Sequence, residues 1–107
     1  MIAAAILICL APIAYDGDTV KCGGKQAVRL FGIESPEKLT AGDPAATANA
    51  QALSAGGLQC RITGTSYSRV VAQCFNAVGI DIGKAQLEAG HAIEWCTFSK
   101  NYYGTCP

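Results

Sequence analysis

The sequence predicts an α+β fold in which five short strands close into a barrel and two helices pack against it. Three observations predict it. A chain of 107 residues has room for one domain with one modest core. Half of its residues are hydrophobic and only 15% are charged, which excludes a disordered chain. Hydrophobic period and punctuation divide it into short strand-like runs and two capped helical stretches.

The elements follow in order. Residues 1–14 are mostly apolar, and the second half of this run, Leu7 to Tyr15, reads as the first strand. Thr19 to Cys22 reads as the second, Gly23-Gly24 as a tight turn, and Ala27 to Ile33 as the third, with a bend or break near Gly32. Glu34 to Gly42 contains Pro36 and polar residues and reads as a loop. Asp43-Pro44 supplies an N-cap and a proline at the first helical position, so an Ala-rich helix runs to Ala55 and stops at Gly56-Gly57. Leu58 to Thr63 and Val70 to Phe75 are two further strands joined by a Gly/Ser/Thr turn. Asp81 caps a second helix, which runs through Ala89 and stops at Gly90. Three strands, a helix, two strands and a helix is the order of a five-stranded OB-fold barrel with additions.

Composition limits the function classes. Eight basic and eight acidic residues cancel, so no long-range positive field draws in polyanions. That argues against a protein that coats DNA, but not against an enzyme whose few basic residues converge on one phosphate.

Six cysteines in so short a chain, at positions 9, 22, 60, 74, 96 and 106, contain no zinc-knuckle spacing, and His91 is the single histidine. Disulfides are the better account, and they place the protein in an oxidising space, secreted or periplasmic. Order alone leaves the connectivity open. Topology narrows it to three local pairs: Cys9–Cys22 and Cys60–Cys74 on consecutive strands, and Cys96–Cys106 bracketing the tail. The apolar amino terminus is too short to cross a bilayer as a helix, and no stable membrane association is expected. Residues 1–6 read as the remnant of a signal peptide, and residues 7–107 as one domain, a monomer.

The chemistry concentrates in two segments. Asp16-Gly17-Asp18-Thr19 sets two carboxylates beside a sharp turn, and Arg29-Leu30-Phe31-Gly32-Ile33-Glu34-Ser35-Pro36-Glu37 adds an arginine and two more carboxylates. Carboxylates held close together resist ionising together, so the cluster calls for a hard cation with oxygen ligands, calcium above all. An EF-hand beginning at Asp16 is excluded, because Lys21 and Ala27 stand where that loop needs glycine and glutamate. Lys25 lacks the spacing of a phosphate loop. His91 reads as a surface or packing residue; Trp95, Tyr102 and Tyr103 suit stacking on bases, but packing of the tail over the barrel is the commoner use of such residues.

Asp-Gly-Asp-Thr, Val-Arg-Leu-Phe-Gly-Ile-Glu-Ser-Pro-Glu, Tyr-Ser-Arg-Val-Val-Ala and Leu-Glu-Ala-Gly-His-Ala resemble, in order and spacing, the staphylococcal nuclease (thermonuclease) family. The likeness runs from about Leu7 to Trp95. It implies a nuclease-like OB-fold domain that hydrolyses DNA or RNA with calcium. Carried over residue by residue, it implies Asp18, Glu34 and the carbonyl of Ser35 as calcium ligands, with Asp16 behind them. It implies Arg29 and Arg69 as the phosphate-binding pair, Glu37 as the group that activates or orients water, and Tyr67 beside the bound nucleotide. The chemistry is coherent: the cation polarises the phosphate, a carboxylate orients water, and paired arginine donors neutralise growing charge. Two departures stand out. Glu34 replaces the usual aspartate, and Thr65-Ser66-Tyr67-Ser68-Arg69 lacks the family's acid and glycine. The alternative is a barrel of the same kind that binds nucleic acid with little or no catalysis.

Overall fold

The computed structural model describes residues 5–107 as an α+β domain. In chain order the strands and helices are β1 (Ile6–Cys9), β2 (Ile13–Asp16), β3 (Thr19–Cys22), β4 (Gln26–Leu30), β5 (Ile33–Glu34), α1 (Asp43–Ser54), β6 (Leu58–Ser66), β7 (Arg69–Asn76), α2 (Ile82–Glu88), β8 (Ile93–Glu94) and α3 (Cys96–Ser99). Of the expected leader remnant, residues 1–4 lie outside the described residues. Ala5 and Ile6 belong to the fold: the Ala5 carbonyl accepts from Ile62 N–H at 2.9 Å, and Ile6 opens β1.

Six strands form a mixed sheet in the order β1-β6-β7-β4-β3-β2, antiparallel except where β4 meets β7. Its two outer strands, β1 and β2, are joined by only Leu10, Ala11 and Pro12. An extended chain advances roughly 3.5 Å per residue, so edges this closely tethered force the sheet to curl into a half-barrel. The Cys9–Cys22 disulfide ties β1 to β3 across that gap, with Cα atoms 5.0 Å apart.

The expected single strand Leu7–Tyr15 is therefore two. Ala11 adopts a left-handed backbone (φ 47°) and Pro12 has no N–H to give a ladder, so the chain turns there and changes partner from β6 to β3. The strand expected over Ala27–Ile33 also divides. Gly32 takes φ 72°, β4 ends at Leu30, and Ile33–Glu34 pair with Glu94–Ile93 in a second, two-stranded sheet. Glu34 is thus a strand residue and not part of a loop.

The hairpin of β6 and β7 extends further than expected. Gly64, Thr65 and Ser66 stay in the ladder past a bulge between Ile62 and Gly64, and Tyr67-Ser68 alone make the turn. The N-cap of α1 is Gly42, one residue before the expected Asp43, whose carboxylate accepts instead from Leu39 N–H (3.1 Å) and Thr47 Oγ1 (2.9 Å). In α2 the cap is as the sequence reads, with Asp81 accepting from Gly83 N–H and Lys84 N–H.

The core lies inside the curl, where Val20, Val28, Leu30, Ile33, Leu58, Ala72 and Ile82 pack with Cys9, Cys22, Cys60 and Cys74. Cys60 and Cys74 are direct cross-strand partners and form the second disulfide; Cys96–Cys106 is the third. Two of the three bonds thus do the work of core residues in a domain too small to bury much apolar surface. Three disulfides fit an oxidising compartment outside the cytoplasm. No helix among the described residues is long and apolar enough to cross a membrane.

Candidate active site

The acidic turn between β2 and β3 is fixed from below. The Gly17 carbonyl accepts from Gln86 Nε2 at 2.8 Å, and the same amide donates to the Ala46 carbonyl at 2.9 Å while Asn49 Nδ2 donates to its oxygen. Gln86 is fully buried and so ties the turn to both α1 and α2. Gly17 has to be glycine for space: a Cβ there would stand 2.7 Å from the Cβ atoms of Ala46 and Ser35. Asp16 Oδ1 accepts from Asp18 N–H at 3.0 Å. Burial, reinforced by the neighbouring Asp18, pushes the Asp16 carboxyl up to about 6.

Asp18 is buried, and its carboxylate accepts from Ser35 N–H (2.8 Å) and Thr19 Oγ1 (3.2 Å) and pairs with Arg29 Nη1 at 3.4 Å. Arg29 is also buried; its Nη1 donates to the Leu30 carbonyl at 3.2 Å, and its guanidinium lies 5.2 Å from the centre of the Trp95 ring. Parallel pairing sets Arg29 opposite Val71, and Arg69, two residues earlier on β7, shares the face of Val71. Accordingly Arg29 and Arg69 line one cavity of about 320 Å³, walled by Thr65, Ser66, Trp95 and Phe98.

The other expected residues lie elsewhere. Glu34, Ser35 and Glu37 line a separate groove of about 350 Å³ with His91 and Ile93. Glu37 is exposed and is not among the residues lining the arginine cavity. Tyr67 is fully exposed at the hairpin tip with φ 58°, outside both hollows. The structure thus brings Asp16, Asp18, Ser35 and Arg29 together and adds Arg69 to Arg29, while Glu34 and Glu37 stand with His91.

Oxygen donors at the turn suit a hard cation in kind. Ser35 Oγ is buried with no hydrogen-bond partner and would lie 2.9 Å from a Cβ on Gly17, so one further oxygen at this corner is unsatisfied. Among the described residues, however, no three His, Cys, Asp or Glu side chains form a metal-holding group, because Glu34 does not join the two aspartates.

Sequence reasoning missed Gln86 and Glu94, and named Trp95 without placing it on Arg29. Gln86 had a legible signal, since it lies one helical turn after the buried Ile82 on the same face. Glu94 had none. Its buried carboxylate accepts from Ser99 Oγ (2.5 Å), Tyr103 N–H (2.9 Å), Thr105 N–H (2.9 Å) and Thr105 Oγ1 (2.8 Å), and so holds the whole tail. Tyr103 Oη and Gln73 Nε2 both donate to Asp81 Oδ2, and burial beside that carboxylate raises the Tyr103 phenol far above its usual range.

The chain is similar to the succinoglycan biosynthesis protein ExoI of Rhizobium meliloti (strain 1021), with 30% identity over 103 residues, 84% of this chain and 53% of that protein. It thus spans about half the length of the curated relative it matches. No family model matches the chain.

Proposed function

We propose that this chain is a nuclease of the staphylococcal type, a calcium-dependent phosphodiesterase acting on DNA or RNA outside the cytoplasm. The observation that carries the reading is the cavity in which Arg29 and Arg69, from neighbouring parallel strands, face a common space beside the Asp16–Asp18 turn. Two guanidinium groups in one cavity suit a phosphodiester, whose charge they neutralise and whose oxygens they bind in pairs. Counting β1 and β2 as one bent strand leaves five strands in the curled sheet, which supports the OB-type barrel.

Asp18, Ser35 and Glu34 are the residues that would hold calcium, with Asp16 behind them; when bound, the ion would polarise the phosphate. In the reaction, water's oxygen forms a bond to phosphorus and loses a proton to the Glu37 carboxylate. The bond to the leaving oxygen breaks, and that oxygen takes a proton from solvent. Arg29 and Arg69 stabilise the added charge on the phosphoryl oxygens. Glu37 lines a groove that shares no lining residue with the arginine cavity, so this role requires a substrate long enough to extend from one hollow to the other.

A second reading, a nucleic-acid-binding module with little catalysis, is favoured by one feature. Asp18 already has Arg29 and Ser35 N–H as partners, which leaves it less free for a cation. The relative's name concerns succinoglycan biosynthesis and specifies no phosphodiester chemistry, so the residues of the cavity remain the ground for the first reading.

Incubating single-stranded DNA and RNA with the protein in calcium and in chelator, and repeating with Glu37→Gln, separates the two. Calcium-dependent cleavage abolished by the substitution supports the nuclease. Intact but bound nucleic acid in every condition supports the binding module.

A further inference from the structure

The Arg29 guanidinium has three partners, and one has no place in the phosphodiester chemistry described above. Asp18 pairs with it at 3.4 Å, the Leu30 carbonyl accepts from it at 3.2 Å, and Trp95 lies against it at 5.2 Å. An indole within about 6 Å attracts a guanidinium through its ring quadrupole and, unlike a carboxylate, does not compete for the donors that a ligand needs. Phosphate binding requires those donors to remain available.

Trp95 is itself held on several sides. Its backbone N–H donates to the Gly32 carbonyl at 2.8 Å, at the break between β4 and β5, three residues after Arg29. Its carbonyl accepts from Phe98 N–H (3.0 Å) and Ser99 N–H (2.9 Å), and its ring meets Phe98 edge-on with centroids 4.2 Å apart. On one side of it in sequence stands Glu94, bonded to Ser99, Tyr103 and Thr105, and on the other Cys96, bonded to Cys106. The tail is thus a braced loop that sets Trp95 on Arg29, with Phe98 beside it in the wall of the same cavity.

We propose that Trp95 is a positioning residue for Arg29, and that the disulfide-closed tail holds the indole where it fixes the guanidinium for an anionic phosphate ligand. The proposal rests on the reading of Arg29 as a phosphate binder. It assigns the tail a part in holding Arg29, where the sequence reading weighed only packing and base stacking.

The test measures binding of a fluorescein-labelled, hydrolysis-resistant phosphorothioate single-stranded oligodeoxynucleotide, in calcium buffer, by anisotropy. The proteins compared are wild type, Arg29→Met, Trp95→Leu and Trp95→Phe. Trp95→Leu is expected to weaken binding by about three- to tenfold, and Trp95→Phe, which keeps an aromatic face, by less than about threefold. Because Trp95 is the single tryptophan, its emission reports its neighbour directly: Arg29→Met should change the emission without ligand, and oligonucleotide should change it saturably in the wild type.

Wild-type affinity in Trp95→Leu, or unchanged emission in Arg29→Met, overturns the positioning role. If Arg29→Met nevertheless loses binding, the phosphate-site reading survives that result. Wild-type affinity in Arg29→Met overturns the phosphate-site reading itself. Should Trp95→Leu fail to fold, the emission of Arg29→Met still decides, since that variant keeps the indole and removes only its guanidinium neighbour.

Discussion

Replacing Glu94 by glutamine should destabilise the domain far more than its near-isosteric shape suggests. The carboxylate takes two donors on each oxygen: Ser99 Oγ and Tyr103 N–H on Oε2, Thr105 N–H and Oγ1 on Oε1. A glutamine offers one oxygen and one NH2, so whichever way it turns, two donors face a donor and one of them is a backbone N–H that cannot rotate away. A charge-assisted bond contributes roughly 1.5–3 kcal/mol net, and a buried unsatisfied donor costs about 1–3, so a loss of about 3 kcal/mol is expected. For a domain near 100 residues that lowers Tm by roughly 10–20 °C.

The pH dependence gives an independent check on the same residue. Burial by itself would raise the Glu94 carboxyl; the hydrogen bonds from Ser99, Tyr103 and Thr105 outweigh it and hold the group at about 2 against an ordinary 4.5. A depressed carboxyl contributes stability that is complete above the unfolded value and is lost as pH falls toward the folded one. The wild type should therefore lose stability between about pH 5 and pH 2, and Glu94→Gln should lack that component. Thermal unfolding by circular dichroism across this range measures both. A shift in Tm of only a few degrees, or the same acid profile in the two proteins, would refute the assignment of Glu94 as the tail's anchor.

Two predictions concern the acidic turn. Gly17→Ala drives a methyl into Ala46 and Ser35 and should cost about 1–3 kcal/mol in chemical denaturation, with weaker calcium binding by calorimetry. Gln86→Leu keeps the volume but strips the Gly17 carbonyl of its side-chain donor, the Ala46 carbonyl of its donor from outside the helix and Asn49 Nδ2 of its acceptor; a loss of about 2–4 kcal/mol is expected, and an unchanged denaturation midpoint would contradict the bracing role.

Much of the fold was legible because local chemistry marked it. Asp81 and Gly90 bound α2, Gly23-Gly24 turn β3 into β4, and Gly32 breaks the third strand, each because backbone conformation there depends on one residue type. The break in the first strand was not legible, since Leu10-Ala11-Pro12 sits inside a continuous apolar run and only the change of partner strand requires it. In the site, the two arginines share a cavity because strand register places them there, and the Asp16–Asp18 pair follows from the turn. Glu34 and Glu37 were expected beside them from their closeness in sequence and from the family resemblance; in the structure Ile33–Glu34 pair with β8, and both glutamates line the groove that holds His91. Contacts made by the tail were illegible because they join residues through tertiary docking, with no period or cap to announce them.

The most direct test of the arginine cavity as a phosphodiester site is the initial rate at which the protein opens a fluorophore–quencher single-stranded oligonucleotide in calcium, wild type against Arg29→Ala. Cleavage by the wild type is expected, with a fall of about a hundred- to a thousandfold in the variant, the usual loss when one donor to a developing oxyanion is removed. Equal rates in the two proteins, or no cleavage by a folded wild type, would contradict it.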